Sequence, residues 1–93
     1  MDKTSARMHG RKEFRVLVTS VPVLLVGADE RWAVVMINEG DGDVYIGGAP
    51  GSTTGTWMLL PADQGFTDNY TSDPWYARTT SATVSGTVSG WYI

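Results

Sequence analysis

Glu39, Asp41 and Asp43 place three carboxylates at alternate positions of one short stretch, the oxygen-rich arrangement a hard cation such as calcium binds. The stretch lacks the loop glycine at the sixth position and a distal bidentate Glu, so a solvated turn is the expected reading. Gly47 to Gly55 offers backbone amides to an anion, yet no Lys-Ser/Thr pair and no helix follow it, as a phosphate loop requires. Asn69-Tyr70-Thr71 fits an N-glycosylation sequon and is read as a chance match, because no secretory signal is expected at the start of the chain. With no Cys and one His, His9, neither a thiolate zinc site nor a Ser-His-Asp triad has its ligands. The expectation is therefore a non-enzyme without metal or cofactor.

Two groups of residues remain that could meet a partner. The first is basic. Residues 1–15 carry Lys3, Arg7, Arg11, Lys12 and Arg15 against Asp2 and Glu13, a local charge of +3, whereas residues 16–93 carry Arg31 and Arg78 against eight acids, a charge of -6. The chain thus reads as a basic arm on an acidic body, and an acidic body argues against nucleic acid as the partner. Lys3, Arg7, Arg11 and Arg15 recur every fourth residue and would share one face if a partner induced a helix there. The second group is aromatic. Trp57, Trp75, Trp91 and Tyr92 are large rings that serve either a subunit interface or, if their faces are open, a sugar-stacking platform.

The elements that must position these residues follow from the 93-residue length, 42% hydrophobic content and 18% charged content, which describe one small folded domain. Met1 to about Glu13 has no apolar periodicity and reads as an extended arm; if fully extended it reaches on the order of 45 Å. From Phe14 onward, short β-branched and aromatic segments alternate with Gly, Asp, Asn, Ser and Pro. Phe14 to Thr19, Val21 to Val26, Trp32 to Ile37, Val44 to Ile46, Trp57 to Leu60, Phe66 to Thr71, Trp75 to Arg78, Ala82 to Ser85 and Thr87 to Ile93 are the strand candidates. Trp32 to Ile37, apolar throughout, reads as a central strand covered on both faces, and the turn 38–43 as the bend of a hairpin that returns through Val44 to Ile46. No helix is expected, and no run of about 18 apolar residues is available to span a bilayer. The fold class is all-β: a compact antiparallel sandwich or barrel of seven to eight short strands over 14–93, preceded by the basic arm 1–13.

Val23-Leu24-Leu25, Asp29-Glu30-Arg31, the apolar run Ala33 to Ile37, Asn38-Glu39-Gly40, Val44-Tyr45-Ile46-Gly47-Gly48, Gly55 with Leu59-Leu60-Pro61, and Trp75-Tyr76-Ala77 before a Thr-rich closing segment occur in an order that resembles the small β-structured virion proteins of tailed bacteriophages. The resemblance covers about residues 21–93, with Asn-x-Gly followed by Val-Tyr-Ile-Gly as its most specific piece. It departs at Leu60-Pro61-Ala62-Asp63, where the expected glycine is delayed, and at the aromatic end Trp91-Tyr92-Ile93. The resemblance implies a structural virion protein at the capsid surface, present in host cytoplasm before assembly. Such a capsid decoration or minor head protein associates with itself, a trimer among the options, and binds the major capsid protein. Lys3, Arg7, Arg11, Lys12 and Arg15 would then reach the shell or a neighbouring subunit. The alternative is a tail or head-fibre module that binds host-surface glycans through exposed Trp and Tyr faces.

Overall fold

The computed structural model describes residues 12–28, 31–48, 57–69, 73–81 and 83–93. Among them the chain forms eight strands: β1 (Lys12–Val18), β2 (Val23–Val26), β3 (Val34–Asn38), β4 (Val44–Gly47), β5 (Met58–Leu60), β6 (Gly65–Asp68), β7 (Trp75–Arg78) and β8 (Gly86–Tyr92). They make two antiparallel four-stranded sheets, sheet A in the order β1-β8-β3-β6 and sheet B in the order β2-β7-β4-β5. The pairs β1-β8, β2-β7, β3-β6 and β4-β5 nest inside one another. The chain is therefore one long two-stranded ribbon, doubled back between β4 and β5 and then coiled so that successive rungs fall in alternate sheets. Ladders β3-β8 and β4-β7 knit one turn of the coil to the next. This is a jelly-roll β-sandwich.

The alternation of side chains fixes what lies between the sheets. In β1, β3 and β8 the registers Val16↔Val88 and Met36↔Gly90 put Val16, Val18, Val34, Met36, Val88 and Tyr92 on the inner face. Sheet B answers with Val23, Leu25, Val26, Val44, Ile46, Leu60 and Ala77. Seven of these side chains, Val18, Val34, Met36, Val44, Ile46, Ala77 and Val88, are completely buried. One inward position holds no side chain at all: a Cβ on Gly90 would sit 1.8 Å from the Val35 carbonyl oxygen and 2.8 Å from its carbon. Gly90 lets β3 close onto β8 where no larger residue fits.

Several expected elements differ. β1 begins at Lys12, so Lys12 and Glu13, assigned by sequence to the arm, are paired strand residues. Arg15 is also a strand residue and cannot continue a helical stripe with Lys3, Arg7 and Arg11, which lie outside the described residues. β3 and β4 do not form a hairpin; they belong to opposite sheets, because the intervening residues carry the ribbon across the sandwich. β3 is central in its sheet but covered on one face only, with Ile37 and Trp32 exposed, and Trp32 lies before the strand rather than in it. Residues 83–85 are a turn, not a strand, drawn in by Thr79 as described below.

Gly90→Ala is expected to lower stability by about 3 kcal/mol, because the obstacle is backbone that cannot swing aside. Gly27→Ala, whose Cβ would meet nothing within 4 Å, is the control and should change stability by less than about 0.5 kcal/mol. Chemical denaturation of the two variants beside the parent protein measures both.

Candidate functional site

Wherever the ribbon passes from one sheet to the other its ladder is interrupted, and backbone groups there need new partners. The buried polar residues of the core, Asn38, Asp68 and Thr79, mark the three crossings. At the first, β1-β2 against β7-β8, the Thr79 amide donates to the Thr19 carbonyl (2.8 Å) and its hydroxyl to the Val84 carbonyl (2.8 Å). At the second, β2-β3 against β6-β7, the fully buried Arg31 side chain donates to the Gly27 and Asp73 carbonyls (3.3 and 2.6 Å). It also lies 3.7 Å from the Asp68 carboxylate, which accepts from Trp75 Nε1 (2.9 Å). Trp75 in turn meets Phe66 edge to face at 5.3 Å. At the third, β3-β4 against β5-β6, the Asn38 carboxamide donates to the Gly42 and Leu60 carbonyls (2.8 and 2.9 Å) and accepts from the Gly40 amide (3.0 Å). Its backbone binds the Gln64 carbonyl and the Asp63 amide, both at 2.9 Å. Among the described residues, the buried polar side chains Asn38, Asp68 and Thr79, with Arg31, thus hold the crossings.

The outer faces are what the sandwich offers to a partner, and they are unlike. On sheet A, Glu13, Arg15, Leu17, Val35, Ile37, Thr67, Thr87, Ser89 and Trp91 face outward, a mixed surface in which the exposed Leu17 and Ile37 stand among polar and charged side chains. There Arg15 Nε lies 3.3 Å from Glu39, whose carboxyl is held below its ordinary value of 4.5 by hydrogen bonds from Ser89 and then Arg15. On sheet B, Leu24, Tyr45, Gly47, Leu59, Tyr76 and Arg78 face outward, with Trp57 laid across Gly47. The single charge of that set, the Arg78 guanidinium, lies over the Trp57 ring at 5.1 Å, while Leu24 and Leu59 are 46% and 45% exposed. Sheet B therefore carries an apolar outer face as well as an apolar inner one. A cleft of about 340 Å³ between the edge strands β5 and β6, lined by Ile46, Met58, Leu60 and Phe66, continues this apolar surface round the edge.

The sequence-derived residues are dispersed. Trp57 is buried on the outer side of sheet B and Trp75 is packed in the interior, so neither presents an open ring for stacking. Trp91 lies on the outer face of sheet A and Tyr92 on its inner face. Lys12 and Arg15 share β1 but fall on opposite faces. Glu39, Asp41 and Asp43 do not converge; among the described residues no three Asp, Glu, His or Cys side chains group for a metal. Sequence reading missed Leu24 and Leu59 as surface residues, since an apolar residue in a strand signals burial without saying on which side. It also missed Arg31, whose signal was being one of only two basic residues in an acidic body.

No family model and no curated protein matches the chain. Among solved structures it is similar to a Cupin_2 domain of an XRE-family transcriptional regulator from Enterobacter cloacae, with a TM-score of 0.62 and 15% identity over 92% of this chain and 83% of that one. A second similarity is to a Bacillus endospore appendage protein described as forming disulfide-linked pili, with a TM-score of 0.45 and 14% identity over 88% and 85% of the two chains. The first likeness is one of fold, an all-β sandwich in both molecules; the second is too low to add to it.

Asn38→Asp should destabilise by about 3 kcal/mol, because it removes two donors and sets a carboxylate against the Gly42 and Leu60 carbonyls. Asp68→Asn, which leaves Arg31 buried with its charge unanswered, should cost about as much, and adding Arg31→Met should recover most of the loss. Equilibrium denaturation tests all three. The Glu39 carboxyl, being depressed, stabilises the fold above pH 4.5 and loses that contribution as pH falls through its lower folded value. An NMR titration should find its midpoint below 4.5, rising toward that value in Arg15→Gln.

Proposed function

We propose that this chain is a structural virion protein of the capsid decoration or minor head type, which associates with copies of itself and seats on the major capsid protein to stabilise the shell. What best supports the reading is the outer face of sheet B. A contiguous apolar and aromatic surface on a small sandwich marks a place meant to be covered, and its one cation is withdrawn onto Trp57. A face of this kind, rigid because all eight strands are laddered and the crossings are pinned, suits a permanent protein contact better than a small-molecule site. The basic arm adds a second attachment whose charge opposes that of the acidic body, and many copies on one shell would reinforce a modest individual affinity.

The alternative, a tail or head-fibre module binding glycans, needs open ring faces. Trp57 and Trp75, the rings best suited to it by sequence, are closed off by Arg78 and by Asp68 with Phe66 respectively. The order of elements given by the resemblance to phage virion proteins supports the structural reading further.

Leu24→Asp combined with Leu59→Asp should weaken cosedimentation with empty shells by at least about tenfold, while thermal unfolding stays within a few degrees of the parent protein. Thr67→Asp, on the outer face of sheet A, should leave seating intact. Removing residues 1–11, which spares β1, should weaken seating most at low ionic strength, where charge attraction is least screened. Shell binding by the Leu24/Leu59 variant at parental strength would contradict the proposed seat, and a glycan array with hits lost in the same variant would favour the alternative.

A further inference from the structure

The connections that join strands at the two ends of the sandwich differ in charge. β1 runs away from the arm, so Lys12 marks the near end and Val18 the far end. The far end is built from the first and third crossings, residues 19–22, 39–43, 61–64, 79–81 and 83–85. These contain Glu39, Asp41, Asp43 and Asp63 and no Lys or Arg. Between the two crossings runs an open groove of about 570 Å³, lined by Leu17, Gly40, Asp41, Gly42, Val84 and Thr87 among others. Its apolar part is unusually bare: Leu17 is 66% exposed and Val84 39%. The crossings on either side are neighbours: a Cβ on Gly40 would lie 3.4 Å from the Gly86 Cα, and one on Gly42 3.5 Å from a Val84 methyl. The groove thus sets Asp41 beside an apolar strip of Leu17 and Val84, at an end of the sandwich whose connections also carry Glu39, Asp43 and Asp63.

The chain carries a segment complementary to it. Residues 1–11 combine Lys3, Arg7 and Arg11 with Met1, Ala6 and Met8, that is, cations at both sides of a flexible apolar side chain. We propose that the arm of one copy docks in the far-end groove of the next, with Met8 against Leu17 and Val84 and with Arg7 and Arg11 facing Asp41 and Asp43. The arm leaves from the near end and the groove opens at the far end, so the contact is head to tail rather than mutual. Repeated, it closes a ring or extends a row. The inference rests on reading the arm as a partner-binding segment, but it does not depend on the shell, since donor and acceptor are both this chain.

Charge reversal tests it with the purified full-length protein, read by sedimentation velocity at low ionic strength. Asp41→Lys with Asp43→Lys should weaken self-association by at least about tenfold, and so should Arg7→Glu with Arg11→Glu. Mixing these two variants, or joining all four substitutions in one chain, should restore association, because each acidic arm again meets a basic groove. Circular dichroism of each variant should match the parent, separating loss of contact from loss of fold. A parent protein that stays monomeric, or reversed variants that associate as well as it does, would overturn the proposal, as would failure of the mixture to recover. None of these outcomes reports on the shell, so a failure here is distinct from a failure of the sheet B seat.

Discussion

The structure depends on a single backbone constraint: a ribbon that coils between two sheets must break its ladder at every crossing. A sandwich with short strands has little room to leave the freed groups to water, so each crossing is closed by a buried polar side chain. Thr79, the Arg31-Asp68 pair and Asn38 do this in turn, and each binds backbone from both arms of the ribbon or from the loops they join. Asn38 illustrates the economy best. Its three carboxamide bonds reach Gly40, Gly42 and Leu60, so one side chain shapes the turn after β3 and ties it to the end of β5. The apolar core between the crossings then only has to fill space, which Val, Ile, Leu and Met do with the concession of Gly90.

That arrangement has consequences for function. Among the described residues the buried polar side chains hold the crossings, and the outer faces and ends are the surfaces open to a partner. The two outer faces differ, one mixed and carrying the Arg15-Glu39 pair, the other apolar around Leu24, Leu59 and the Arg78-Trp57 stack. The two ends differ as well, with the arm at one and an acidic rim at the other. A body with unlike faces and unlike ends can be oriented in an assembly, which is what a shell subunit requires. The jelly roll itself hosts many functions, so the fold likeness to a cupin domain does not choose among them.

Much of the fold was legible in sequence. Period-two alternation and turn residues spelled out an all-β domain, and all eight strands overlap segments so identified, the candidate at 82–85 alone having no strand among its described residues. What was not legible is pairing. Asn38 to Asp43 has the chemistry of a hairpin turn, yet the chain uses it to change sheets, because the Asn38 side chain bonds to Leu60 rather than leaving β4 to pair with β3. Likewise, Trp32 to Ile37 is apolar because its outward residues lie on a partly open face, not because both faces are covered. The aromatics could be recognised as important but not placed: whether Trp57 is exposed depends on Gly47 and Arg78, which are ten and twenty-one residues away in the chain. The arm's charge was plain from the start, whereas the groove that complements it exists only once residues 17, 41 and 84 have been brought together.

The central claim, that this is a shell-seated structural subunit, is met most directly by quantitative mass spectrometry of purified particles with and without their surface proteins stripped. The account predicts a copy number set by the symmetry of the shell and loss of those copies with the stripped fraction. Finding the protein absent from particles, or present only with the tail fraction, would contradict it.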